Sequence, residues 1–160
     1  MMKKYLLHPS VFGVLRLVAS AQGLAGVYFP EHKHLQFDPA WQLDPNDGVL
    51  LRTAQQLDAY FAGELQSFDL PLDCTQGTAF QQEVWQALRT IPYGSVCSYA
   101  AVARQIGRPK AIRALGAANG RNPLSIVIPC HRVIAANGDL QGYAGGLENK
   151  RRLLALENYL

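Results

Sequence analysis

The chain has 160 residues, 49% apolar and 17% charged, which excludes a disordered polypeptide and leaves room for one or two small domains with a real core. The net charge of +3 is unevenly spread: residues 1–75 carry five Lys/Arg against eight Asp/Glu, and residues 76–160 carry ten against four. A polyanionic partner is therefore an expectation for the second half and not for the first. The three cysteines, Cys74, Cys97 and Cys130, cannot all pair within one chain and show no C-x-x-C spacing. They predict free thiols in a reducing, cytoplasmic setting. The opening run Met1 to Leu7 is too short for an export signal and is interrupted by His8-Pro9. No apolar stretch is long enough for a membrane span.

Residues 11–30 read as two strands around the turn Ser20-Ala21-Gln22-Gly23, because β-branched and aromatic residues flank it. Residues 31–47 read as loop. Val49 to Leu65 reads as a helix, with Leu50, Leu51, Ala54, Leu57, Phe61 and Leu65 on one stripe. Phe68 to Asp73 is extended around Pro71. A domain boundary is expected near Thr75-Gln76-Gly77-Thr78. Thr78 then caps a helix carrying Phe80, Val84, Trp85 and Leu88, which stops at Ile91-Pro92-Tyr93-Gly94.

Ser98 is placed to cap a short helix from Tyr99 to Ile106. Gly107-Arg108 turns, and Pro109 opens a second helix running to about Ala118. The pair reads either as a helix-turn-helix, with Lys110 and Arg113 on the recognition helix, or as a plain helical hairpin. The run Leu124 to Ile128 between Pro123 and Pro129 reads as a buried extended segment, with Cys130-His131-Arg132-Val133 at its end. Gly142-Tyr143-Ala144-Gly145-Gly146 is a loop passing close to something. Leu147 to Leu156 is a closing helix with Lys150, Arg151 and Arg152 towards solvent. The fold class is α+β: a small structural N-terminal domain (1–75) with an antiparallel sheet and a helix, then a mainly helical domain (76–160) containing the helix-turn-helix.

Cys130 and His131 are the sharpest chemical feature. A thiol is mostly protonated at neutral pH, and a nearby imidazole can take its proton. Adjacent side chains of an extended strand point to opposite faces, so contact requires an irregular backbone or a bridging water. On the residues alone, a functional thiol and a small buried hydrophobe both remain open.

The series Arg113-Ala114-Leu115-Gly116, Asn122-Pro123, Ile128-Pro129-Cys130-His131-Arg132-Val133, Gly142-Tyr143-Ala144-Gly145-Gly146, Lys150, Leu153-Leu154 and Glu157 closely resembles the O6-alkylguanine-DNA alkyltransferases. The resemblance is strong over residues 76–158 and looser before them. It implies irreversible transfer of an alkyl group from O6-alkylguanine, and O4-alkylthymine, in double-stranded DNA to Cys130, by a monomer without cofactor or metal. It further implies that His131 acts as base through a water and that Glu157 orients His131. Asn122 would buttress the active-site turn. Tyr99 would stand beside the flipped nucleotide and meet guanine N3, and Arg113 would fill the gap in the stack. Lys110 and Arg132 are expected DNA contacts. Tyr143 lines the pocket, Ser125 and Ala144 border it, and main-chain groups of Cys130 and Val133 read the base. His8, His32 and His34 lie in the region where some family members hold zinc with cysteine partners. No cysteine precedes Cys74, so no zinc is expected.

Overall fold

The computed structural model describes residues 2–35 and 37–160. Met1 and Gln36, assigned above to the N-terminal domain and to the 31–47 loop, lie outside the described residues. The chain opens with β1 (Lys4–Ser10), β2 (Gly13–Ser20) and β3 (Gly23–Tyr28), a meander in which each strand pairs antiparallel with the next. A short β4 (Gln42–Leu43) adds in parallel to β1, giving the order β3-β2-β1-β4. The β2–β3 hairpin is the one expected around Ser20–Gly23. β1 occupies the short opening run, whose apolar residues read above only as too few for an export signal, and β4 lies within the expected 31–47 loop.

Helix α1 (Gly48–Phe61) begins where the Asp47 carboxylate accepts from Leu50 N at 3.1 Å. It buries Leu50, Thr53, Ala54, Leu57 and Tyr60, whereas Leu51, placed on the stripe above, is exposed. It ends four residues before the expected Leu65. Gly63 takes a left-handed φ of 76° and donates to Tyr60 O, which closes the last turn.

Helix α2 (Ala79–Leu88) carries a capping box between Thr78 and Gln81. Trp85 of α2 donates its indole N–H to Ala118 O at 2.8 Å. This bond fixes α2 against the helix-turn-helix formed by α3 (Tyr99–Gln105) and α4 (Ile112–Gly120). Ser98, in the short β5 (Cys97–Ser98), caps α3 through Ala101 N. Pro109 does not open α4. It occupies the second position of a turn closed by Ala111 N donating to Arg108 O at 2.9 Å, a site that suits its fixed φ. Lys110 therefore sits exposed in the turn, not on the helix.

The segment from Asn122 to Pro129 is buried but not extended. Ile126 has a φ of 73°, Val127 N donates to Ser125 O, and Ile128 N donates to Leu124 O. Apolar content alone does not distinguish a folded turn from a strand when both are buried. A left-handed β-branched residue costs on the order of 1–3 kcal/mol, so surrounding contacts must hold it. The Asn122 side chain supplies two of them, accepting from Leu124 N at 3.0 Å and donating to Ile128 O at 2.9 Å. A 3-10 turn (Cys130–Arg132) follows, then β6 (Val133–Ile134), which pairs in parallel with β5. Helix α5 (Leu147–Leu156) closes the fold.

One apolar core runs through both halves, from Leu15, Leu17 and Val27 of the sheet to Val84, Leu115, Ile128 and Leu153. The active-site turn is also tied to the sheet, since Val27 N donates to Pro123 O at 2.9 Å.

Candidate active site

The 3-10 turn decides how Cys130 and His131 are presented. It removes the strict alternation of a strand, and both side chains are buried, Cys130 at 4% exposure and His131 at 0%. Burial pushes the Cys130 thiol pKa up, opposed by hydrogen bonding from Asn122 and by the Lys150 charge. The thiol therefore needs a base. Among the described residues, His131 Nδ1 has no hydrogen-bond partner, while Nε2 lies 2.8 Å from Glu157 Oε2.

Glu157, 1% exposed, is the anchor of this arrangement. Arg132 grips it bidentately, with Nε donating to Oε1 at 2.8 Å and Nη2 to Oε2 at 2.9 Å. Tyr60 of α1 donates its hydroxyl to Oε2 as well. Burial alone would raise the Glu157 pKa, but the donors from His131, Arg132 and Tyr60 outweigh it and hold the carboxyl at about 2. An anionic Oε2 requires the proton on His131 Nε2. Nδ1 is left as a lone pair, the tautomer a base needs. Burial keeps the imidazole neutral by lowering its pKa, against the opposing pull of Glu157.

Arg132 is thus not a DNA contact. It is 7% exposed, and its third donor, Nη1, meets Ile91 O at 2.7 Å. Lys150 is also corrected: it faces inward at 0% exposure, and Nζ donates to Val133 O at 2.7 Å and Gln141 O at 2.8 Å. Burial lowers its pKa to about 8. The two carbonyls it bridges begin and end the loop leading to Tyr143.

A cleft of about 870 Å3 opens beside these groups, lined among others by Tyr99, Arg113, Gly116, Arg121, Tyr143 and Ala144. Tyr99 and Tyr143 connect cleft and thiol. Each lines the space, and in each the pKa is raised by burial first and then by a charge on Cys130. Arg113 projects from the exposed face of α4. Lys110 does not line the cleft. Ser125 and Val133 are buried away from its wall, at 1% and 0% exposure. The Val133 carbonyl already accepts from Lys150 and keeps one lone pair, whereas the Cys130 carbonyl accepts from both Val133 N–H and Asn119 Nδ2. Gly145 explains the glycine-rich loop: a Cβ there would stand 2.2 Å from Phe29 Cδ2 and 2.9 Å from Tyr143 Cε2. In the first half, His8 bonds Asp58 at 2.7 Å, whereas His32 stacks on Phe29 with ring centroids 6.2 Å apart.

Residues 79–159 match the family described as 6-O-methylguanine DNA methyltransferase, DNA binding domain, and residues 3–74 match its ribonuclease-like domain. The chain belongs to the 6-O-methylguanine DNA methyltransferase family. A methylated-DNA–protein-cysteine methyltransferase of Methanosarcina acetivorans is 47% identical over 154 residues, covering 96% of this chain and 97% of that protein. One from Mycobacterium tuberculosis is 51% identical over 150 residues, covering 94% and 82%. The crystal structure of Mycobacterium tuberculosis OGT in complex with DNA superposes with a TM-score of 0.89 at 48% identity, over 96% of this chain and 92% of that one.

Two residues of this family member's site carry no role in the sequence reading, although Lys150 stands in the series that resembles the family. Lys150 carried a usable signal, because it precedes Leu153, Leu154 and Glu157 by three, four and seven positions on one helical face. Tyr60 carried a weaker one, three residues after Leu57 on the buried stripe of α1.

The buried titrations set an acid limit on stability. His32 is held neutral down to about 4, mainly by burial, and His131 is also lowered. The unfolded chain takes up these protons below about 6.5. Stability therefore falls as pH drops from about 6.5 towards 4. The stabilisation from Glu157 is complete above its ordinary carboxylate range and disappears as pH falls towards about 2. Urea unfolding at stepped pH should show both stages, with the Glu157 stage worth roughly 3 kcal/mol. A flat profile from pH 7 to 4 contradicts the histidine assignment.

Proposed function

We propose that this chain repairs O6-alkylguanine, and O4-alkylthymine, in double-stranded DNA by moving the alkyl group onto Cys130. The observation carrying this reading is the buried Cys130, His131 and Glu157 set beside a cleft that also receives Tyr99 and Arg113. The helix-turn-helix presents α4 to the duplex. The damaged base leaves the stack for the cleft, and Arg113 fills the space it vacates, its plane stacking and its charge meeting phosphate. The thiol proton passes through a water molecule to His131 Nδ1. The sulfur lone pair then forms the S–C bond as the C–O6 bond breaks, with its electrons going to guanine. Tyr99 donates a proton to guanine N3 and is restored from the protonated relay, so the proton lost by sulfur ends on guanine. The alkyl donor is the DNA itself, and no metal or cofactor enters this scheme.

Asn122 holds the turn that aims Cys130, and Tyr143 with Ala144 shapes the cleft wall. The chain acts as a cytoplasmic monomer. Residues 1–75 form a domain supporting residues 76–160. No helix among the described residues is long and apolar enough to cross a membrane.

The product thioether has no ready hydrolytic exit, so transfer ends at one equivalent. With excess duplex containing O6-methylguanine, demethylation should plateau at one methyl per protein. Continued turnover contradicts the scheme. Arg113→Ala should slow repair of duplex DNA by roughly tenfold or more, since base stacking is worth about 1–3 kcal/mol, while reaction with the free modified base is unchanged. Equal slowing of both reactions removes Arg113 from this role.

A further inference from the structure

Tyr60 is fully buried on α1, in the half of the chain that supplies none of the reacting groups. Its ring packs against Phe61, Phe68 and Tyr93, with centroids 5.7, 5.4 and 6.1 Å away. A phenylalanine would satisfy those contacts. The hydroxyl is what distinguishes tyrosine here, and it donates to Glu157 Oε2, the oxygen that faces His131. Oε2 thus takes three donors, from Tyr60, His131 and Arg132, and Oε1 takes one from Arg132. The phenol and the guanidinium hold the carboxylate from two sides, leaving it one direction in which to meet the imidazole.

We propose that Tyr60 is a positioning residue of the transfer reaction, through which the N-terminal half fixes Glu157 and tempers the negative charge that Oε2 turns on His131. The inference rests on the Cys130 reading above. Its consequence has a definite sign. The titratable and charged groups around the phenol are Glu157, Arg132, Tyr93 and Tyr143, with His131 behind Glu157 and Lys150 acting on His131 from α5. Removing the hydroxyl leaves more negative charge on Oε2 for the imidazolium. His131 then holds a proton more tightly and becomes unavailable as a base at higher pH.

The test is single-turnover methyl transfer by Tyr60→Phe across pH 5.5–9, with the label mapped in each sample. The acid limb of the rate profile should move up by about half to one pH unit, so that transfer at pH 6 falls by about threefold to tenfold and changes little at pH 8.5. A uniform loss at every pH is what looser packing would give, and it overturns the proposal, as does an unmoved limb. Should the variant fail to fold, nitrogen-15 spectra of the unsubstituted protein decide. The proton on His131 Nε2 should show a nuclear Overhauser contact with the Tyr60 hydroxyl proton; absence of that contact overturns the proposal. Label absent from Cys130 in the unsubstituted protein would instead defeat the underlying reading, so the two failures are distinguishable.

Discussion

Cys130→Ala should abolish methyl transfer and leave affinity for duplex DNA within roughly twofold, because the substitution removes no charge that could release counterions. Among the described residues, neither of the other thiols lines the cleft. Cys74 and Cys97 are partly buried and pack against the core. Burial raises the Cys130 pKa, so little thiolate stands ready, and reactivity depends on proton removal at the moment of attack. Quantitative binding to duplex DNA together with a transfer assay checks both halves of the prediction. Lost binding with lost transfer would mean that the substitution had disturbed the fold, or that Cys130 lies on the DNA surface.

Glu157→Gln should be the most damaging conservative change to stability. It leaves the Arg132 guanidinium buried without its counter-charge, a situation that typically costs about 3–5 kcal/mol. For a chain of this size, Tm should drop on the order of 10 °C. The chemistry should fail as well. A glutamine amide can donate to His131 Nε2 and so move the ring proton to Nδ1, where it blocks acceptance from the thiol. Transfer should then fall by roughly 10²–10⁴-fold, the scale of a lost general base. Thermal unfolding and single-turnover rates measure the two effects separately. A variant that melts like the parent chain would show that the Arg132–Glu157 pair is not the buried support described here.

What the sequence could reveal followed the range of each interaction. The helix-turn-helix was legible because its signals are local: Ser98 caps α3, and Gly107 turns the chain at a φ of 74°. Cys130 with His131 was legible as a motif of neighbours. The start of α4 was misjudged because Pro109 suits both a first helical turn and a β-turn, and only the Ala111-to-Arg108 hydrogen bond separates them. Arg132 was read as a surface cation because its partner lies 25 positions away, and nothing local announces a buried pair. Tyr60 is the extreme case, 97 positions from the carboxylate it meets. Lys150 differs in kind: its helical spacing showed the inward face, but lysine is seldom fully buried and was assigned to solvent on residue type alone. The folding of Asn122 to Pro129 was hidden because a run of buried apolar residues looks the same in a turn and in a strand.

These long-range contacts also revise the division of labour between the halves. The sheet holds the active-site turn through Val27, and α1 reaches the carboxylate through Tyr60. The acidic half of the chain therefore reaches the buried carboxylate, and Lys33 and His34 bring it to the cleft wall as well.

The Cys130 sulfur is the proposed acceptor, and a labelled methyl group can be followed to it. Duplex DNA carrying isotopically labelled O6-methylguanine should be reacted to completion, and the protein digested and sequenced by mass spectrometry. One label per chain is expected, on the peptide containing Pro129-Cys130-His131 and on the Cys130 side chain. Label on any other residue, or loss of the methyl group from DNA with unlabelled protein, contradicts this assignment.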